Sequence, residues 1–223
     1  MFLFIASPTF VLILLKGMMG HEPASFDHYA LVVTGMFPTA PAFLFTAFAI
    51  NRDRNARTLE HLLTTPVHKI DVIVGYAIAF MLPALAQVAL MVSVTYGLLG
   101  LHVAGQPWEV ALLALMACVL GIAIGVMSAN FARNEFQLTK LIAMIAIPQL
   151  MLSGFFRPPS RMVGWMGFLS HFVPWRYGVS LLKTFQYHSV LTGSGWFNLG
   201  VMVGIVLLLF SVSAFTVLSR RTA

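Results

Sequence analysis

Charge is scarce in this chain. Only 9% of its 223 residues are Asp, Glu, Lys or Arg, while 59% are hydrophobic. A soluble domain averages about 25% charged and roughly 45–50% apolar residues. Thirteen Lys+Arg and seven Asp+Glu cannot coat a water-facing globule of this size. An ordinary soluble enzyme and a long disordered segment are therefore excluded. The basic excess of +6 reads as topology-setting charge at a membrane surface, so no nucleic-acid partner is expected. Cysteine is almost missing too. Cys118 stands alone in apolar sequence, can form no intrachain disulfide, and reads as a small core residue.

Catalytic and cofactor motifs are also lacking. No Gly-x-x-x-x-Gly-Lys-Ser/Thr phosphate loop occurs, so the chain has no such ATP site of its own. There is no His-Glu-x-x-His, no Cys-x-x-Cys and no Gly-x-Ser-x-Gly elbow. The histidines (His21, His28, His61, His68, His102, His171 and His188) fall in connections or in one polar-edged segment. No catalytic residue, metal or cofactor is expected in this chain. Ionisable residues inside spans, which would mark an ion or proton route, are essentially absent. Glu109, Glu135 and Lys140 sit at span margins. This counts against a proton- or sodium-driven carrier and favours an apolar or amphipathic substrate.

What the chain has in quantity is long uncharged runs. A transmembrane helix needs about 20 mostly apolar residues. Runs of that kind cover 29–50, 72–101, 110–132, 141–156 and 197–218, and a shorter one covers 1–15. The expected fold is an all-α, polytopic membrane bundle of about six transmembrane helices, the first truncated, forming a single domain over 1–223. With the N-terminus inside, the inner connections hold Arg52, Arg54, Arg57, Lys69, Arg133, Lys140, Arg220 and Arg221. The outer ones hold Lys16, Arg157, Arg161, Arg176 and Lys183. The excess lies on the side that the positive-inside rule requires.

Two segments are not spans. Residues 51–71 read as an amphipathic helix at the cytoplasmic surface. Ala56, Leu59, Leu62 and Leu63 form its apolar stripe, and Arg52, Asp53, Arg54, Arg57, Glu60 and His61 cover much of the rest. It is either a solvated connection or a docking element for a partner's groove. Residues 155–196 carry Pro158, Pro159 and Pro174 among aromatic residues, and 165–173 is too short to cross. That pattern reads as a broken helix re-entering the outer leaflet, or as an amphipathic hairpin resting on it.

Within the spans, Gly121 and Gly125 form a Gly-x-x-x-Gly pair that Ser128 extends by a turn. Small residues let helices approach closely in lipid, either within one chain or between two. Gln87, Ser93 and Thr95 are polar groups inside an apolar run, and Pro38 and Pro41 with Thr34 and Thr39 predict a kink.

Three stretches resemble the membrane subunits of type-2 ATP-binding-cassette exporters. They are YALVVTGMFP at 29–38, RNARTLEHLLTTP at 54–66, and the region 148–183 with Leu152-Ser153-Gly154-Phe155-Phe156, Pro158, Pro159, Trp165, Pro174 and Tyr177. The resemblance implies a multi-pass protein of the bacterial inner membrane. It implies a homodimer or heterodimer with a second permease subunit, the pathway at its centre, and a separate ABC ATPase subunit that binds the ATP. The ATPase contact would be Arg54, Arg57, Thr58, Leu59, Glu60, Leu62, Leu63 and Pro66 on a cytoplasmic coupling helix. Ser153, Gly154, Phe155, Phe156, Pro158, Pro174 and Tyr177 would shape the outer end of the pathway. The rival reading is a secondary carrier or membrane assembly protein with no ATPase partner.

Overall fold

A computed structural model describes residues 2–19, 23–55, 69–132, 134–187 and 193–219. Among these residues every regular element is helical. The long helices are α1 (Phe2–Met19), α2 (Pro23–Met36), α3 (Thr39–Asn55), α4 (Lys69–Ser93), α5 (Pro107–Phe131) and α6 (Glu135–Leu152). After them come α7 (Gly164–Leu169), α8 (Pro174–Tyr187) and α9 (Gly193–Ser219), with 3-10 turns at Pro159–Arg161 and Ser170–Phe172.

Among the described residues, five stretches are long and apolar enough to cross a membrane: Ser25–Asp53, Val74–Leu98, Pro107–Phe131, Glu135–Leu152 and Gly193–Ser213. Within α1 the apolar helix Ala6–Met19 is shorter. These match the hydrophobic runs, with shifted ends. The fourth begins at Glu135 rather than 141, because the Asn134 side chain accepts from the Gln137 backbone N–H at 2.8 Å and caps the helix there. A charge can sit in the first turn of a spanning helix, so counting from the last charge starts the helix too late. The last span likewise opens at Gly193, so 193–196 belong to it and not to the outer segment.

Only the two ends of the 51–71 segment lie among the described residues. Helix α3 runs on to Asn55 and α4 opens at Lys69, so both ends of the segment are continuations of spans. Asn51 is fully buried, and the Tyr76 hydroxyl donates to Asp53 Oδ2 at 2.6 Å across the two helices. Residues 56–68, the greater part of the expected coupling helix, lie outside the described residues.

Helix α5 sits at the centre. In its most apolar window 67% of the residues are buried inside the chain, against 11% for α6 and 17% for α9. Its closest neighbour is α3. A Cβ on Gly121 would fall onto the Thr39 carbonyl oxygen, and one on Gly125 would lie 2.9 Å from the Phe43 carbonyl oxygen. The glycine pair therefore serves packing within the chain, with Ala42 and Thr46 filling the space that the missing side chains leave. Ser128, buried one turn further on, continues that face.

The expected kink is present. Helix α2 ends at Met36 and α3 starts at Thr39, with a turn at Phe37–Pro38. The Phe37 N–H still reaches the Val33 carbonyl at 3.0 Å, and the Thr39 hydroxyl donates to the Met36 carbonyl at 2.7 Å. The Thr39 hydroxyl thus takes up one of the carbonyls at the break.

Candidate functional site: the two ends of the bundle

The chain direction of the helices defines two ends. Asp53, Tyr76, Phe131 and Asn134 mark one. The other holds the start of α2, the ends of α4 and α6, and the start of α5. At that second end the Asp27 carboxylate accepts the His102 backbone N–H at 3.4 Å, and Lys16 lies 4.2 Å over the Phe26 ring. Asn130, near the first end, donates its amide to the Ser213 carbonyl at 3.4 Å and ties α9 there.

The second end is closed by a cap built from α7, α8 and the turns between them. Helix α6 stops at Ser153, whose hydroxyl donates to the Leu150 carbonyl at 2.8 Å and accepts the Phe155 N–H at 3.2 Å. Gly154 then takes φ +85°, a conformation that costs glycine little. The chain reverses there, and the Gly154 carbonyl accepts Lys183 Nζ at 2.8 Å. Lys183 is half-buried, and that burial lowers its pKa. The Arg176 guanidinium donates to the Ser170 hydroxyl at 2.5 Å, which itself donates to the Gly167 carbonyl at 2.6 Å. The Tyr177 hydroxyl donates to the His171 carbonyl at 2.8 Å.

The segment 155–187 divides into two unlike helices. Helix α8 is no surface hairpin: Pro174, Trp175, Gly178, Val179, Leu182 and Phe185 are buried. It meshes with α2, because a Cβ on Gly178 would strike the Met36 sulfur and one on Gly35 would meet Leu182 Cδ1 at 2.7 Å. Helix α7, by contrast, has no buried residue. The expected outer residues are thus split. Ser153, Gly154 and Pro174 are buried structural hinges, Phe155 and Tyr177 are half-buried, and Phe156 and Pro158 are exposed. Phe155 packs edge-on against Tyr29 and Phe156, with ring centroids 5.6 and 4.8 Å apart.

Among the described residues, crevices lie toward both ends of the bundle. At the cap end a crevice of about 520 Å³ is lined by Asp27, His28, Tyr29, His102, Gln186 and Tyr187 among others. His28 Nδ1 and Gln186 Oε1 lie 2.8 Å apart within it. At the other end a crevice of about 640 Å³ runs along Leu44, Phe45, Phe48 and Ala49 to Arg52, Asp53 and Glu135. Between these ends lie the polar groups of the spans. The Thr34 and Thr95 hydroxyls stand 3.1 Å apart, each also donating to a carbonyl of its own helix at 2.7 Å. Thr95 reaches this position on a π-helical turn, Val94–Leu98, which has no clear signature in the sequence. Ser93 is exposed. Gln87 is fully buried and has no hydrogen-bond partner among the described residues.

The expected ATPase contact lies mainly outside the described residues. Arg54 falls in the last turn of α3, whereas Arg57, Thr58, Leu59, Glu60, Leu62, Leu63 and Pro66 all belong to 56–68. The described geometry supplies the two helix ends that bracket them, joined by Asp53 and Tyr76.

The family model of the ABC-2 type transporter matches residues 2–187. This chain belongs to that family. It is 26% identical over 167 residues to the inner membrane transport permease YhhJ of Escherichia coli strain K12, a match covering 74% of this chain and 44% of that protein. The Shigella flexneri protein of the same name gives the same values. The probable multidrug ABC transporter permease YbhS of Escherichia coli strain K12 is 20% identical over 166 residues, covering 73% of this chain and 44% of that protein. The chain thus aligns with less than half the length of these relatives. No solved structure matches it. As an ABC-2 family member with several membrane-length apolar helices among the described residues, it is a multi-pass membrane protein.

Proposed function

We propose that this chain is the membrane subunit of an ABC-type exporter, working as a homodimer or heterodimer driven by a separate ATPase subunit. The observation that carries the reading is the family match over residues 2–187, together with the absence of any phosphate-loop motif in the chain. Energy then enters through residues 51–71. The reading gains support from the lever that such a segment would work: α3 and α4 emerge side by side and are tied by the Tyr76–Asp53 hydrogen bond. Closure of two ATP-bound partner subunits would carry the paired 56–68 segments with them. Force would pass up α3 into α5 across the glycine contact, where backbones touch and little compliance is available. The pathway would open at the dimer axis, and ATP hydrolysis in the partner would reset it. The cap over 153–183 would form the outer end, and the confinement of carboxylates to the ends of the spans favours an apolar or amphipathic substrate.

The test is whether a phosphate-loop ATPase co-purifies with the chain from mild detergent. Glu60→Lys and Leu63→Asp should leave membrane insertion intact, release the ATPase and abolish ATP-dependent transport. Normal transport by either variant would remove 51–71 from the contact, and transport driven by a proton gradient alone would favour the secondary carrier.

A further inference from the structure

The cap end carries a charge pattern that the transport reading leaves unexplained. After Glu135 the sequence contains no Asp or Glu, yet it contains Lys140, Arg157, Arg161, Arg176, Lys183, Arg220 and Arg221. Four of these cations sit in the cap. Two are engaged internally, Arg176 with the Ser170 hydroxyl and Lys183 with the Gly154 carbonyl. Arg157 and Arg161 flank the 3-10 turn Pro159–Arg161, and both are exposed.

Directly after this turn comes an uncovered apolar surface. Trp165, Phe168 and Phe172 are each at least 64% exposed. Phe168 and Phe172 pack edge-on at 5.4 Å and form one aromatic unit. The turn and α7 are held together, since a Cβ on Gly167 would lie 3.5 Å from the Pro159 carbonyl oxygen. The two arginines and the aromatic wedge therefore lie close together on one short stretch of the cap.

Its level along the bundle is marked independently. Trp108, second residue of α5, and Trp196, in the first turn of α9, are 61% and 62% exposed at the same end of the bundle as α7. Exposed tryptophans collect where headgroups meet acyl chains. Aromatic side chains at that depth, with arginines beside them, make an element that lies in the interface and is drawn to anionic lipid. The arginine fork also matches phosphate oxygens.

We propose that residues 156–172 form an anionic-phospholipid site, with Trp165, Phe168 and Phe172 in the acyl region and Arg157 and Arg161 on the headgroup phosphates. The occupant is a phospholipid of net negative charge in the surrounding bilayer. The site requires neither the export direction nor the ATPase partner, so loss of coupling in the experiment above leaves it standing.

The chain is reconstituted in bilayers with Trp108, Trp175 and Trp196 replaced by Phe, leaving Trp165 as the reporter. Quenching by dibromo-phosphatidylglycerol is compared with quenching by dibromo-phosphatidylcholine at equal mole fraction. One basic side chain near an anionic surface is worth roughly a five-fold preference, so phosphatidylglycerol should be favoured about five-fold or more. Arg157→Gln with Arg161→Gln should bring the ratio close to one, as should molar salt, which screens exposed charge. Equal quenching by both lipids would overturn the charge selectivity. No quenching by either would overturn the site altogether, since the wedge would then face protein. Native mass spectrometry of the unaltered chain gives a second reading that needs no variant. Retained phosphatidylglycerol should exceed phosphatidylcholine from an equimolar mixture, and equal retention would refute the proposal.

Discussion

Replacing Gly121 by Ala tests the contact through which α3 and α5 are joined. The added methyl would land on the Thr39 carbonyl oxygen, with Ala42 Cβ at 3.0 Å and Phe43 N at 3.1 Å. Two of these three atoms are backbone, so no rotamer change relieves the clash and the helices must separate. Overpacking of this kind costs about 1–3 kcal/mol. Alanine regains about 0.5–1 kcal/mol over glycine in a helix, which leaves a net loss of roughly 1–2 kcal/mol. Gly75 in α4 is the matched control, because nothing lies within 4 Å of its Cβ position. There the same change should be neutral or stabilise by about 0.5–1 kcal/mol. Unfolding of the purified chain by SDS in mixed micelles, followed by helical circular dichroism, should separate the variants by roughly 1–3 kcal/mol. Equal midpoints would refute the close approach. If Gly121→Ala instead dissociated an oligomer without shifting the midpoint, the glycine face would belong to a contact between copies.

Two further outcomes concern the cap. Gly154→Ala places an L side chain at φ +85° and a Cβ 3.1 Å from Pro159 Cδ. It should cost about 1–2 kcal/mol and speed hydrogen exchange over 154–161, whereas unchanged exchange would remove the hinge role. Lys183 has a pKa lowered by burial from the usual 10.5, so between the folded and unfolded values the unfolded chain binds more protons. Its charge therefore opposes folding at neutral pH, and the penalty falls as pH rises toward 10.5. Relative to Lys183→Met, the parent chain should gain thermal stability on approaching that pH, and a fall would contradict the assignment.

How far the sequence could be read depended on the range of the interactions. Membrane passage is a property of local composition, since about 20 apolar residues must satisfy their own backbone hydrogen bonds in lipid. The five long spans and the Phe37–Pro38 kink were accordingly legible. So was the break in the outer segment, because prolines and short apolar stretches act locally. Helix ends were less so: Glu135 and Asn55 lie inside helices although charge or polarity marks a boundary in the sequence. Glycine patterns showed that backbones would touch, but not which ones. Gly121 and Gly125 were open to a contact within or between chains until Thr39, Phe43 and Thr46 proved to face them.

Composition and the lengths of the apolar runs alone therefore determined that this chain is an apolar helical bundle, because those properties are summed residue by residue. Tertiary structure decided what depends on residues far apart in sequence. It brought Thr34 against Thr95, Asp53 against Tyr76, and Gly154 against Lys183. It also turned one face of the outer segment inward onto α2 while leaving the wedge of Trp165, Phe168 and Phe172 uncovered. Side chains on one short stretch meet different surroundings once the helices cross, and no local pattern encodes that crossing.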